Sequence, residues 1–293
     1  MADFVKYQAL GNDYLVLDAQ QVRWDASPAA ARQLCDRHFG IGADGVLYGP
    51  VEPVQAGRPV ELVTLNSDGT TCGLSANGVR MFALHLAEHH LDDTRFTIRT
   101  PAGDSLVEIV DFSAGLVRVN LGRPSFEAGA IPVLGLSGPA IDWTLDLDDE
   151  QVTATCVHNG NPHTVVFLDE LTADRARELG PQIARHPRFP ERTNVEFARV
   201  RDRRLIEVEI WERGAGYTLA SGGSGCAVAS AAHLAGLVDD ELTVQMPGGQ
   251  LQVSIGADHC VTMTGIVEKV ATGDFSATLG ERSGVSRAST VPA

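Results

Sequence analysis

The sequence is short of what most cofactor and membrane chemistries need. Lysine occurs only at Lys6 and Lys269. Neither has surroundings that suggest a pyridoxal Schiff base. No GxxxxGK[ST] loop is present, and no GxGxxG follows a strand, so neither phosphate-binding fingerprint applies. Positive charge is scarce: the formal net charge is −15, which argues against nucleic acid or an anionic membrane as partner and reads as a solvated acidic surface. No apolar run approaches the ~18 residues of a membrane span. The N-terminal MADFVKYQALGNDYLVLD has no charged stretch followed by an apolar core; it reads as a strand pair, not a signal peptide. The five cysteines, Cys35, Cys72, Cys156, Cys226 and Cys260, are odd in number and widely spaced, which excludes a disulfide framework. None forms a CxxC pair, so no metal site is expected. A cytoplasmic protein is the expectation.

What is present is an ordinary globular composition, 44% hydrophobic and 21% charged over 293 residues, enough for one large core or two ordinary ones. The informative signal is an internal repeat. FTIRTPAGDSLVEI (96–109) and LTVQMPGGQLQVSI (242–255) both read strand, Pro-x-Gly turn, strand. Thr97, Pro101, Gly103, Val107 and Ile109 match Thr243, Pro247, Gly249, Val253 and Ile255 at an offset of 243 − 97 = 146 residues. Ala83, Leu91 and Asp93 match Ala229, Leu237 and Asp239 at the same offset. Each half then holds a Gly/Ser-rich loop, a helix and a hairpin. The loops are NSDGTTCGLSANG (66–78) and ERGAGYTLASGGSG (212–225); the helices are expected at about 79–91 and 226–237, apolar nearly all round and therefore buried. Strands are expected at 4–10, 14–18, 60–65 and 116–120, then 143–147, 152–157, 164–167, 196–200 and 205–211. The fold class is α+β: two pseudo-symmetric lobes, each an antiparallel sheet wrapped around a central helix. The lobes are expected at 1–122, completed by a returning strand at about 268–280, and at 123–267. The polar tail 281–293 is expected to be disordered.

Ser75 plus 146 is Ser221, so the two serines are equivalent under the repeat. Both precede a buried helix, where unpaired backbone N–H groups and the helix dipole favour an anion. A duplicated fold could bring both helix starts to one carboxylate pocket. The alternative is that both serines are simple N-caps. Other segments stand out: LGNDY (10–14), GIGADG (40–45), NGNPH (159–163), RTNVEF (192–197) and ERGAG (212–216). Each alone is more often a turn than a site, and a lone His163 is more often packed than catalytic.

Taken together, ALGNDY, GIGADG, NSDG…NGVR, NGNPH, RTNV and WERGAGYTLASG, in that order from Lys6 to about Glu268, resemble the diaminopimelate epimerase family. The resemblance implies the two-lobed fold and inversion of an amino-acid α-carbon without pyridoxal phosphate, other cofactors or metal. By resemblance, Asn66, Asn161, Asn194 and Arg213 hold the distal end of the substrate, where a guanidinium fork suits a carboxylate. Glu212 accepts from the ammonium and Asn12 lines the reacting end. The backbone amides of Ala76, Asn77, Gly222 and Gly223 hold the reacting carboxylate.

The departure is at the acid/base pair. The family places a cysteine on each side of the α-carbon; here those positions are Ser75 and Ser221. Ala76 and Gly223 also differ from the family's usual residues. A thiol has a pKa near ~8.5, and an alkanol hydroxyl is roughly five units weaker, or ~7 kcal/mol. Two helix starts recover only ~0.3–2 kcal/mol each. A serine base therefore needs a partner to take its proton, and His163, Tyr217 and Glu212 are the candidates by motif. The leading function is a cofactor-independent racemase or epimerase acting on a small-molecule amino-acid substrate, by default diaminopimelate. Two alternatives are a dehydratase, lyase or double-bond isomerase on an amino-acid-like substrate, and a non-catalytic amino-acid binding protein. A homodimer is left open.

Overall fold

The structure, a computed structural model, describes residues 2–287. The chain divides into two compact units: one holds the chain up to Val119 with the stretch from Ile266 onward, the other Asn120–Gly265.

The first unit opens with the hairpin β1 (Phe4–Ala9) and β2 (Asn12–Leu17). Its two-residue turn puts both Leu10 (φ 58°) and Gly11 (φ 86°) in the left-handed region, the geometry a tight hairpin turn needs to match strand twist. Then come β3 (Val22–Trp24), α1 (Pro28–Cys35), β4 (Gly45–Tyr48), β5 (Val60–Glu61), β6 (Val63–Asn66), α2 (Ala76–His89), β7 (Arg95–Thr100), β8 (Gly103–Asp111) and β9 (Leu116–Asn120). The second unit has β10 (Trp143–Asp146), β11 (Gln151–His158), β12 (Pro162–Phe167), α3 (Ala173–Ala184), β13 (Asn194–Asp202), β14 (Leu205–Glu212), β15 (Gly216–Thr218), α4 (Gly222–Leu234), β16 (Glu241–Met246), β17 (Gly249–Ile255) and β18 (Val261–Ile266). The chain closes with β19 (Glu268–Gly273), α5 (Ala277–Ser283) and β20 (Val285–Arg287).

The duplication is explicit in the strand pairing. In the first unit β1–β2 is antiparallel, β2–β4 parallel and β4–β6 antiparallel. In the second, β11–β12, β12–β13 and β13–β14 repeat that sequence. The antiparallel hairpins β7–β8 and β16–β17 follow in each, joined to the preceding strand by the parallel pairs β5–β7 and β14–β16. Even the added edge strands correspond, β19 on β1 and β10 on β11. The sheets are thus mixed, with a parallel pair at two points in each unit. Strand order alone cannot be read from hydrophobic alternation, which gives faces but not neighbours. The expected strand 60–65 is two strands, because the chain switches from β7 to β4 as its partner around Leu62.

Both central helices are as buried as their apolar sequences require. In α2 every residue from Ala76 to Leu86 is buried; in α4 Gly222 and Ser224 through Ala232 are. Helix α4 consists largely of Gly, Ala and Ser, so strands can approach closely: a Cβ on Gly225 would lie 3.5 Å from Val244 Cγ1. Both helices start three or four residues before the expected positions, because glycines that disfavour a helix interior are tolerated in a packed first turn.

The tail expectation needs correction for residues 281–287. They finish α5 and form β20, which pairs antiparallel with β3. Trp24 Nε1 donates to the Ser283 carbonyl (3.1 Å) and Arg287 pairs with the buried Asp3 (2.8 Å). Polar composition hid these partners, since they lie more than 250 residues away in sequence. Residues 288–293 lie outside the described residues. No helix among the described residues is long and apolar enough to cross a membrane.

Candidate active site

Ser75 is the N-cap of α2, and its Oγ accepts from the Gly78 backbone N–H at 3.0 Å. Helix geometry gives the N–H groups of Ala76 and Asn77 no acceptor within the helix. These are the two amides expected to face a carboxylate. The side chains around them form one chain of hydrogen bonds. Arg80, fully buried, donates to Asn77 Oδ1 (2.6 Å) and to the Ile266 carbonyl (3.4 Å). Asn77 Nδ2 donates to Asn12 Oδ1 (3.2 Å), and Asn12 Nδ2 to Asp44 Oδ2 (2.9 Å). Arg37 then bridges Asp44 and Asp13, and Lys6 closes on Asp13 at 2.8 Å. Burial raises the Asp13 pKa, but the Arg37 and Lys6 contacts outweigh it and hold the carboxyl below its ordinary value. This network fixes which way the amides of Asn12 and Asn77 point.

Ser221 is the N-cap of α4 but makes no side-chain cap bond. The two serines are therefore both N-caps by position, and only Ser75 is one by hydrogen bond. The first turn again leaves the N–H groups of Gly222 and Gly223 without acceptors within the helix. Asn159 Nδ2 donates to the Gly223 carbonyl at 2.8 Å, holding this turn to the end of β11. His163, 1% exposed, lies against the same turn: its Cε1 and Nε2 are 3.5 Å from where a Cβ on Gly223 would sit. Its Nδ1 is 2.7 Å from Oε1 of Glu196, which is 0% exposed. A carboxylate oxygen accepts, so Nδ1 carries the shared hydrogen and Nε2 presents a lone pair. Nε2 is buried with no hydrogen-bond partner, as is the Ser224 hydroxyl.

Asn161, Asn194, Glu212 and Arg213 lie on the second unit. In the parallel β12–β13 register His163 lies opposite Asn194. Asn194 Nδ2 donates to the Pro162 carbonyl (3.2 Å), while its Oδ1 accepts from the Arg213 backbone N–H (2.8 Å). Asn161 sits in the turn before β12, its carbonyl accepting from the Asn159 N–H (3.3 Å). Arg213 is exposed and its guanidinium donates to the Glu191 carbonyl (3.2 Å). Glu212 ends β14 opposite Gly216. Asn66, on the first unit, ends β6 and donates from Nδ2 to Thr70 Oγ1 (2.9 Å).

Tyr217 has partners of its own. Its hydroxyl donates to Glu209 at 2.6 Å and its ring lies under the Arg177 guanidinium, 4.0 Å from the centroid. Burial and the Glu209 carboxylate push its pKa up to about 12. Its side chain is turned toward α3. Sequence reasoning gave no role to Glu196, Asn159, Arg80 and Asp44, although each lies in a segment it singled out: RTNVEF, NGNPH, NGVR and GIGADG.

Solved structures share this fold. A hydroxyproline epimerase from Agrobacterium vitis, with bound trans-4-hydroxy-L-proline, superposes with a TM-score of 0.63 at 16% identity, over 92% of this chain and 90% of that one. A phenazine biosynthesis protein of the PhzF family from Bacillus anthracis gives 0.60 at 14% identity, over 92% and 97%. At such identities the likeness concerns the fold.

Sequence relatives go further. The diaminopimelate epimerase family model matches residues 4–127 and 155–270. Diaminopimelate epimerase 2 of a Nostoc species is 42% identical, over 93% of this chain and 95% of its own length. The diaminopimelate epimerase of Moorella thermoacetica is 37% identical, over 93% and 98%. The chain belongs to the diaminopimelate epimerase family and is an isomerase of the racemase/epimerase kind.

Proposed function

We propose that this chain inverts the α-carbon of diaminopimelate or a close analogue, with Ser75 and Ser221 exchanging the α-proton on opposite faces. One serine oxygen, deprotonated, takes the α-hydrogen as a proton. The electron pair left behind spreads into the substrate carboxylate, which the amides of Ala76, Asn77, Gly222 and Gly223 stabilise. The other serine returns a proton from its hydroxyl to the opposite face. Asn66, Asn161, Asn194 and Arg213 hold the distal carboxylate and Glu212 takes the ammonium. These assignments rest on the family motifs and on the helix-start geometry. A cytoplasmic location suits such an amino-acid isomerase.

The observation that carries the reading is the buried His163–Glu196 pair beside the start of α4. A serine hydroxyl is too weak an acid to work alone, and an imidazole oriented by a carboxylate is the usual remedy. The test is incubation with diaminopimelate and a panel of amino acids in D₂O. Deuterium should enter the α-position as the stereocentre inverts, and both S75A and S221A should abolish it. No label uptake from any substrate refutes the proposal; release of ammonia or a keto acid would instead indicate elimination. The double variant S75C/S221C should raise diaminopimelate inversion at least tenfold, since a thiol is the stronger acid by about five units.

A further inference from the structure

Away from Ser75, the other end of α2 carries a second cluster of chemistry-bearing side chains. We propose that Asp18, His85 and His90 form a binding site for one divalent transition-metal ion of the zinc class, clamping the C-terminal end of α2 to the end of β2. One ligand atom from each residue, a ring nitrogen of each histidine and an Asp18 carboxylate oxygen, lies within 4.8 Å of the other two. His90 Nε2 is 2.7 Å and His85 Nε2 3.7 Å from Asp18 Oδ2. A tetrahedral ion at about 2.0–2.1 Å from each ligand keeps its ligands roughly 3.4 Å apart. The side chains need adjust by little more than 1 Å to accept it.

An independent observation points to a ligand. His85 is 2% exposed and its Nε2 is buried with no hydrogen-bond partner. Its other nitrogen, Nδ1, faces the Tyr7 hydroxyl at 3.5 Å, and that hydroxyl donates to Glu88 at 3.3 Å. In the tautomer that carries hydrogen on Nδ1, the Nε2 lone pair faces the Asp18 carboxylate, and a cation between them would bind both. The supporting contacts are those metal sites use to orient their ligands: Tyr7 on His85, and the Gln20 backbone N–H (2.9 Å) and Gln21 side chain (2.7 Å) on Asp18. Two imidazoles and one carboxylate, with no thiolate, select zinc-class ions over calcium or magnesium.

The experiment uses the full chain, stripped with chelator and titrated with Zn²⁺ by calorimetry, with bound metal counted by mass spectrometry. One equivalent should bind, and Tm should rise by roughly 5 °C at free zinc about 100-fold above Kd. H90Q and D18N should lose the equivalent while S75A keeps it. The same five cysteines are present in all these variants, so adventitious thiolate binding would survive H90Q and overturn the proposal. Should the variants fail to fold, X-ray absorption on the zinc-loaded wild type decides: a shell of nitrogen and oxygen near ~2.0 Å supports the site, and sulfur near ~2.3 Å overturns it. Binding of less than a tenth of an equivalent at micromolar zinc also overturns it.

Discussion

Glu196→Gln tests the acid/base reading most directly. Glu196 is fully buried, and its Oε1 sits 2.7 Å from His163 Nδ1. As a carboxylate it can only accept, which fixes the hydrogen on Nδ1 and leaves Nε2 able to take a serine proton. Glutamine keeps the volume but can donate, so Nδ1 can become the acceptor and Nε2 the N–H, the wrong tautomer for a base. It also removes the charge that stabilises an imidazolium once His163 has accepted a proton. A charge-assisted hydrogen bond contributes about 1.5–3 kcal/mol. Made mainly in the transition state, that is a loss of roughly 10- to 150-fold in kcat at about 1.4 kcal/mol per tenfold. KM should change little, because Glu196 touches no substrate. The assay is α-deuteration of diaminopimelate in D₂O followed by NMR, with urea unfolding to show that the variant is folded. A folded E196Q with kcat within threefold of the parent would refute the relay through His163.

Tyr217→Phe should cost about 1 kcal/mol of stability by losing the Glu209 hydrogen bond, with activity within threefold; a tenfold loss in the deuteration assay would show Tyr217 to be a relay. Gly180→Ala should destabilise by up to about 2 kcal/mol in urea unfolding. Its Cβ would lie 2.5 Å from Trp211 Cβ, and overpacking of ~1–3 kcal/mol outweighs the ~1 kcal/mol gained in helix propensity. Asp13→Asn should be pH-dependent. The folded-state pKa of Asp13 lies below its ordinary value because the Arg37 and Lys6 contacts outweigh burial. Its stabilisation is therefore complete above ~3.9 and is lost as pH falls through the lower folded value. Unfolding at pH 7 should show a deficit of ~1–3 kcal/mol that shrinks below pH 4; a deficit independent of pH would show that its origin is packing.

How much of this was legible in the sequence follows from what kind of contact each feature depends on. The duplication showed because the hairpins β7–β8 and β16–β17 share a Pro-x-Gly turn and the residues around it at one offset, and the central helices showed because burial on nearly every side forces an apolar run. The paired serines followed from a constant offset. Helix starts were misplaced by three or four residues because SGGSG and SANG look like loop, and only packing lets glycine open a helix. Strand neighbours were illegible for another reason: the Asn194–His163 register depends on a parallel pairing across 31 residues, and a parallel partner leaves no turn signature.

The site itself breaks the symmetry that the repeat suggests. Strand β12 begins Pro162–His163 and is answered by Glu196 on β13, placing an imidazole–carboxylate pair against the first turn of α4. The topologically equivalent strand β2 begins Asn12–Asp13 and is answered by Asp44 just before β4, giving hydrogen-bond holders and no imidazole. Ser75 has its oxygen held by a backbone N–H, an arrangement that steadies negative charge on oxygen; Ser221 has none. If both serines work, they do so by different means, and the two directions of inversion need not share a rate-limiting proton transfer. Solvent isotope effects measured from each stereoisomer should therefore differ, and equal effects that respond alike to E196Q would show that the two sides are chemically equivalent after all.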